Sequence, residues 1–340
     1  MSAKLFAFKS ARGSMISCFA LILTLTASAK VIAPHRVGTQ AAAPATPHYK
    51  FTTLSAPFQG VYATLGYGIN DLGEVVGAYQ IDDAPLNYPP SLVQHGFVLK
   101  NGSYTTIDVP FTGATNTVAA GINNRGEVVG SYQDATGSAH GFTLKNGVFT
   151  SIDFPGPDVV DTVASAINDA GTIVGSYYDL NSNQNRGFVL IGGKFASIDA
   201  PFTDACCTRA LGINNWGEIV GDYVQGDLSF GFTQYLGKLQ PFDWSFPSDY
   251  PDAFAGQNAI PAGISNRGEM VGPGFRWVQG TFTPLSDVDL GSAGACASEQ
   301  ACAAYGVNSR GIVVGVILQQ QDLGNSGFST PPSGFLLIPE

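Results

Sequence analysis

One phrase, Gly-Ile-Asn-Asn-x-Gly-Glu-Val-Val-Gly in its fullest form, recurs six times along this 340-residue chain. It runs from Gly68-Ile69-Asn70 to Gly77 and from Gly121-Ile122-Asn123 to Gly130. It returns at Ala166-Ile167-Asn168, Gly212-Ile213-Asn214, Gly263-Ile264-Ser265 and Gly306-Val307-Asn308. With the Asn (or Ser265) as marker, successive copies are 53, 45, 46, 51 and 43 residues apart. Self-similarity at a period of about 45 residues restricts a chain to a stacked or circular array of one supersecondary unit.

A second phrase follows the first, as in His140-Gly141-Phe142-Thr143-Leu144, then Asn146-Gly147, then Phe149-Thr150-Ser151-Ile152-Asp153-Phe154-Pro155. Together they translate into four short strands. Strand a is made of small residues ahead of the Asn. The Asn-Asn-x-Gly segment reverses the chain, because Asn and Gly tolerate the positive φ of tight hairpins. Strand b is the β-branched Val-Val-Gly-x-Tyr run, strand c is Gly-Phe-x-Leu, and a second Gly turn leads to strand d. The Gly after Val-Val implies a bulge or close approach of another backbone. Four antiparallel strands per unit predict an all-β, six-bladed β-propeller, with the small residues of strand a nearest the axis. The sixth unit stops after Gly334-Phe335-Leu336-Leu337-Ile338, without strand d, while Phe51-Thr52-Thr53-Leu54 near the start aligns with strand d elsewhere. The expectation is that this N-terminal strand completes the last blade and closes the ring, removing open sheet edges.

These paired phrases resemble the HAF family of probable extracellular bacterial repeats, over residues 49–340. The resemblance implies export and a β-rich repeat fold; it implies no particular activity or ligand. The last two units depart most, with Ser265 for Asn and Pro273-Gly274-Phe275 nearly deleting the b–c loop.

Residues 1–29 read as a signal peptide. Lys4, Lys9 and Arg12 precede a mostly apolar stretch over 15–26, and Ala27-Ser28-Ala29 offers the small-x-small cleavage pattern. An apolar run of twelve residues is shorter than the roughly 20 needed for a transmembrane helix. Nothing later is long and apolar enough for an integral membrane segment. Residues 30–48, rich in Ala and Pro, read as a flexible lead-in, and 49–340 as a single propeller secreted or periplasmic in location. The chain after residue 29 carries 13 Lys+Arg against 26 Asp+Glu, a net charge of −13 that repels phosphate backbones and disfavours nucleic acid. Four cysteines follow the leader; in an exported protein Cys296–Cys302 and Cys206–Cys207 are the candidate disulfides, with other connectivities open.

Chemistry-bearing clusters are sparse. Asp108, Asp153, Asp199 and Asp243 share a position at the end of strand d that is Ser286 and Ser55 in the other units, a substitution pattern expected of turn caps. His95 and His140 alternate with Arg186, Phe230 and Ser333, so a catalytic imidazole is not expected there. No metal site, cofactor or phosphate-cradling loop is indicated. Insertions unique to one unit are better candidates for binding than repeated positions. The long b–c and d–a loops hold Tyr88, Trp244, Phe246 and Tyr250, and Trp216 stands alone at an a–b hairpin tip on the opposite face. Aromatics beside Asp, Asn and Gln suit stacking on sugar rings or anchoring a protein. The reading is therefore an exported, non-catalytic recognition module for an extracellular carbohydrate or protein. A polysaccharide-active hydrolase or lyase using Asp82-Asp83 or Asp249 and Asp252 is the alternative, as is a structural envelope or matrix protein.

Overall fold

The computed structural model describes residues 48–82, 92–246, 257–287, 300–319 and 332–340. Residues 1–47, which include the expected signal peptide and most of the expected lead-in, lie outside the described residues, as do Tyr88, Tyr250, Asp83, Asp249, Asp252 and Cys296.

The described chain is β throughout save for one 3-10 turn. The first strand, β1 (Tyr49–Leu54), stands ahead of a regular series. Next come β2 (Val61–Ile69), β3 (Val75–Asp82), β4 (Leu92–Lys100) and β5 (Ser103–Ile107). The second unit is β6 (Thr115–Ile122), β7 (Val128–Gln133), β8 (Ala139–Lys145) and β9 (Val148–Ile152). The third is β10 (Val159–Ile167), β11 (Ile173–Asp179), β12 (Gln184–Ile191) and β13 (Lys194–Ile198). The fourth is β14 (Ala205–Ile213), β15 (Ile219–Gln225), β16 (Leu228–Tyr235) and β17 (Lys238–Phe242). The fifth is β18 (Gly263–Ile264), β19 (Met270–Gly272), β20 (Phe275–Val278) and β21 (Thr281–Pro284). Last come β22 (Gln300–Val307), β23 (Val313–Gln319) and β24 (Ser333–Pro339).

Each middle unit forms its own four-stranded antiparallel sheet in simple meander order, and these sheets are the blades of a β-propeller. The remaining strands join one eight-stranded sheet, β22-β23-β24-β2-β3-β4-β5, with β1 paired to β24. The ladder pairing between its two parts is a parallel bridge, Thr64 to Ser333. The β1–β24 pairing is antiparallel over six residue pairs, with Phe51 opposite Leu337 and Thr52 opposite Leu336. No described helix is long and apolar enough to cross a membrane.

The core lies between neighbouring blades. Phe142 on β8 is fully buried and clusters with Val76 and Ile107 of the preceding blade, and Phe188 does the same with Val129 and Ile152. Strand c therefore contributes one large ring per blade, and the interleaved Val residues of strand b fill the next gap. The Gly of Val-Val-Gly is needed for a reason the sequence implied. A Cβ on Gly130 would fall on the carbonyl oxygen of Val118 and within 2.9 Å of the Phe142 ring. Strands a and b approach each other there, beside a bulge in β6 between Thr115 and Val118. The shortened fifth blade follows from its sequence: β19 turns into β20 through Pro273-Gly274 alone.

Candidate functional site

The a–b hairpins converge on the propeller axis and hold two rings of short polar side chains. In the inner ring, Asn70 Oδ1 accepts the N–H groups of Leu72 (3.1 Å) and Glu74 (2.9 Å), capping its own hairpin. Its amide then donates to the backbone carbonyl of Asn123 in the next blade at 3.0 Å. Asn123 repeats this toward Asn168 (3.1 Å), Asn168 toward Asn214 (3.1 Å), and Asn214 toward Ser265 (3.3 Å). Asn308 donates to Asn70 at 3.0 Å. Ser265 Oγ accepts the N–H of Arg267 and of Glu269, both at 3.2 Å, so it keeps the cap. Its shorter side chain, which bonds only within its own hairpin, passes no bond onward to Asn308.

The next residue of each hairpin forms a second ring that sequence reasoning missed: Asp71, Asn124, Asp169, Asn215, Asn266 and Ser309. Asp71 N–H donates to Asn124 Oδ1 (2.8 Å), Asn124 N–H to Asp169 Oδ1 (2.8 Å), Asp169 N–H to Asn215 Oδ1 (2.8 Å) and Asn215 N–H to Asn266 Oδ1 (2.7 Å). Asn266 also reaches Asp71 Oδ2 at 2.9 Å. Partial burial would push the Asp71 carboxyl up, but hydrogen bonds from Ser309, Asn124 and Asn266 outweigh it and hold it below the ordinary carboxylate range. The signal was present: the position after the marker is a short polar residue in every unit, never an apolar one. Together the rings enclose a shallow polar cavity of about 60 Å³.

Trp216 stands beside that cavity. It is 70% exposed, the largest exposed aromatic of the hairpin face, and its Nε1–H donates to the carbonyl of Asn266 at 2.9 Å. The indole is thus both presented and oriented. Leu72, Arg125, Arg267 and Arg310 take the same hairpin-tip position in other units.

Above the rings the axis widens into an apolar cavity of about 140 Å³. Ile69, Ile122, Ile167, Ile213, Ile264 and Val307 line both cavities, so this aliphatic ring is the partition between them. Toward the other end lie Asp161 and Arg209. Arg209 makes two bonds to the buried carboxylate of Asp222, through Nε at 3.0 Å and Nη2 at 2.5 Å.

At the ends of strands d, the structure corrects one expectation. Asp108, Asp153 and Asp199 do not cap turns but pair with the His or Arg of their own strand c. Asp108 bonds His95 Nδ1 at 2.9 Å, Asp153 bonds His140 Nδ1 at 2.6 Å, and Asp199 bonds Arg186 Nη1 at 3.1 Å. In these three units the partners are 13 residues apart, a spacing legible in the sequence, whereas the fourth unit keeps Asp243 with Phe230 at the partner position. Each imidazole also stacks on a strand b tyrosine, His95 on Tyr79 and His140 on Tyr132. Ser151 Oγ bonds Asp153 at 2.8 Å, not the imidazole, so this cluster lacks the nucleophile-to-base contact that acyl transfer requires. Desolvation lowers the His140 pKa, but Asp153 and Asp134 outweigh it and the net displacement is upward.

The loop-face aromatics divide. Phe246 is only 2% exposed and packs edge-on against Phe275 and Phe282, so it belongs to the core and, contrary to the sequence expectation, offers no face to a ligand. Trp244 is 42% exposed but lies flat on Phe282 with ring centroids 5.5 Å apart, which leaves one face available. Cys206 and Cys207 are free thiols with Sγ atoms 2.9 Å apart, so the adjacent pair is not bridged. Cys207 adopts φ of 55°, and burial with the neighbouring Cys206 pushes its thiol pKa up to about 11. Cys302 is buried on β22, and its expected partner Cys296 lies outside the described residues. Among the described residues no group of three or more His, Cys, Asp or Glu is placed to hold a metal ion.

No protein-family profile matches the chain, and no curated protein matches it. Similar solved structures include AofleA from Arthrobotrys oligospora, at 12% identity and TM-score 0.37 over 81% of this chain and 69% of that one. The β-propeller domain of the Trilobed protease from Pyrococcus furiosus, described as having an open velcro topology, is 10% identical. Its TM-score is 0.37, covering 75% of this chain and 92% of that one.

Proposed function

We propose that the chain is an exported, non-catalytic recognition module, a HAF-type propeller of six blades closed into a ring, whose hairpin face binds an extracellular carbohydrate. The observation that carries the binding reading is Trp216, an exposed indole fixed by its hydrogen bond to Asn266 at the edge of a cavity lined with Asp71, Asn124, Asp169 and Asn215. A sugar ring presents an apolar face to an aromatic and hydroxyls to planar polar side chains, and this pairing offers both. The ring hydrogen bonds fix the carboxylates in place while leaving acceptor capacity on Asp169, which accepts three bonds against the roughly four lone-pair sites of an ionised carboxylate. Two relationships support the closed six-blade ring: β1 adds to β24, and Asn308 hands its amide to Asn70.

The test is a glycan array and titration with the intact mature chain, its Trp216→Ala variant and its Trp244→Ala variant. Loss of affinity of at least tenfold in Trp216→Ala, with Trp244→Ala unchanged, is expected; a stacked sugar contributes roughly 1–3 kcal/mol to such a contact. Binding that persists undiminished in Trp216→Ala removes the hairpin face. A chain that retains no glycan but captures a protein through Trp216 replaces the carbohydrate reading with a protein partner.

A further inference from the structure

The axial cavity carries a second site. Three residues before the marker, strand a points a side chain inward in every unit: Tyr67, Ala120, Ser165, Leu211, Ala262 and Tyr305. All six line the cavity, yet they differ from one another far more than the aliphatic ring beneath them. Folding alone would be served by repeating one residue at this inward position, as the neighbouring Ile positions do. The variation instead makes the cavity lopsided. Tyr67 and Tyr305 meet edge to face, with centroids 5.6 Å apart, and form one aromatic wall. Ala120, Ser165 and Ala262 leave the space open elsewhere around the axis.

We propose that this axial well binds a small, uncharged, planar ring compound of indole or phenol size, inserted ring-first against Tyr67 and Tyr305. Its volume of about 140 Å³ suits such a ligand, since an apolar protein cavity of roughly 150 Å³ accommodates benzene. The floor is the aliphatic ring of Ile69, Ile122, Ile167, Ile213, Ile264 and Val307, which offers no hydrogen-bond partner. Charge is disfavoured because an ion taken into such a site needs a partner of its own. At the upper end Arg209 is spent on Asp222, so an anion finds no free guanidinium there, and Asp161 Oδ1 is directed to the N–H of Ala139 at 2.8 Å. The tyrosine walls stay neutral, burial holding the Tyr305 hydroxyl up to about 12 and raising Tyr67 as well. Ser165, Ser176 and Asn185 line the site and can meet a single polar group on the ligand.

The fold itself supplies the test. Ala120→Leu and Ala262→Leu install, in two different blades, the residue that the fourth blade already carries as Leu211. Either fills the well with a side chain this position tolerates. Indole and phenol are titrated calorimetrically into the intact mature chain, with benzoate and phenethylamine as charged counterparts. Saturable one-to-one binding of the neutral rings is expected, at least tenfold stronger than either ion. It should fall at least tenfold in both leucine variants and remain unchanged in Trp216→Ala, which separates this site from the carbohydrate reading. Absence of saturable binding overturns the proposal, as does binding that neither filling variant weakens. Should one variant fail to fold, the other fills the same well from a different blade and decides the question.

Discussion

The side-chain amide of Asn308 donates to the backbone carbonyl of Asn70 at 3.0 Å, a contact between residues 238 positions apart. The same bond joins each earlier neighbour in the hairpin series as far as Ser265, where the chain of amides is interrupted. A residue that caps its own turn therefore also ties one blade to the next, and the two roles can be separated experimentally.

Asn308→Ser retains an acceptor for the hairpin N–H groups, as Ser265 does, and removes only the donor to Asn70. A loss of about 1 kcal/mol is expected, the net worth of one hydrogen bond. Asn308→Ala also strands the N–H groups of Arg310 and Ile312, and should cost about 3 kcal/mol. Chemical denaturation measures both. Equal losses in the two variants would show that the inter-blade donor contributes nothing.

Gly130→Ala should be far more damaging than its size suggests. The added methyl falls on the Val118 carbonyl, and neither the backbone of strand a nor the fully buried Phe142 can move aside without opening the core. A loss of at least about 3 kcal/mol, or failure to fold, is expected. Gly147→Ala gives the contrast. It lies in the c–d turn with φ of 78° and nothing within 4 Å of the added carbon, so only backbone strain opposes it. That strain costs about 1–2 kcal/mol. A Gly130→Ala protein as stable as Gly147→Ala would refute the close-approach argument.

The His140–Asp153 pair should make stability depend on pH in a defined direction. The folded imidazole has a raised pKa, so its contribution is complete below the ordinary imidazole value of about 6.5 and is lost as pH rises through the folded value. Asp134 acts oppositely: its folded pKa is lowered to about 2 by Thr136, Ser138 and His140, so its contribution is lost as pH falls through that value. Thermal unfolding at pH 5.5 and pH 8, with His140→Phe as control, reads the imidazole alone. Phe is the residue the fourth blade carries there as Phe230. Wild-type Tm should fall relative to the variant as pH rises; a constant difference would exclude the ion pair as its source.

The amino-acid order by itself determined the unit. The Asn-x-x-Gly turn, the Val-Val-Gly strand and the buried Phe of strand c each act within about 45 residues, through local conformational preference and a two-residue alternation. The four-stranded sheets follow from them, as does the need for Gly130. The 13-residue partnership of His140 with Asp153 was equally present, but it looks like turn chemistry until strands c and d are paired. Tertiary structure alone decided everything that converges on the axis. The positions of Asp71, Asn124 and Asp169 become a ring, and those of Tyr67 and Tyr305 a wall, only when blades distant in sequence face one another. Phe246 likewise reads as an exposed loop aromatic until the fifth blade packs over it. Such placements depend on which faces are left after packing, and side-chain burial across sequence-distant strands has no local signature.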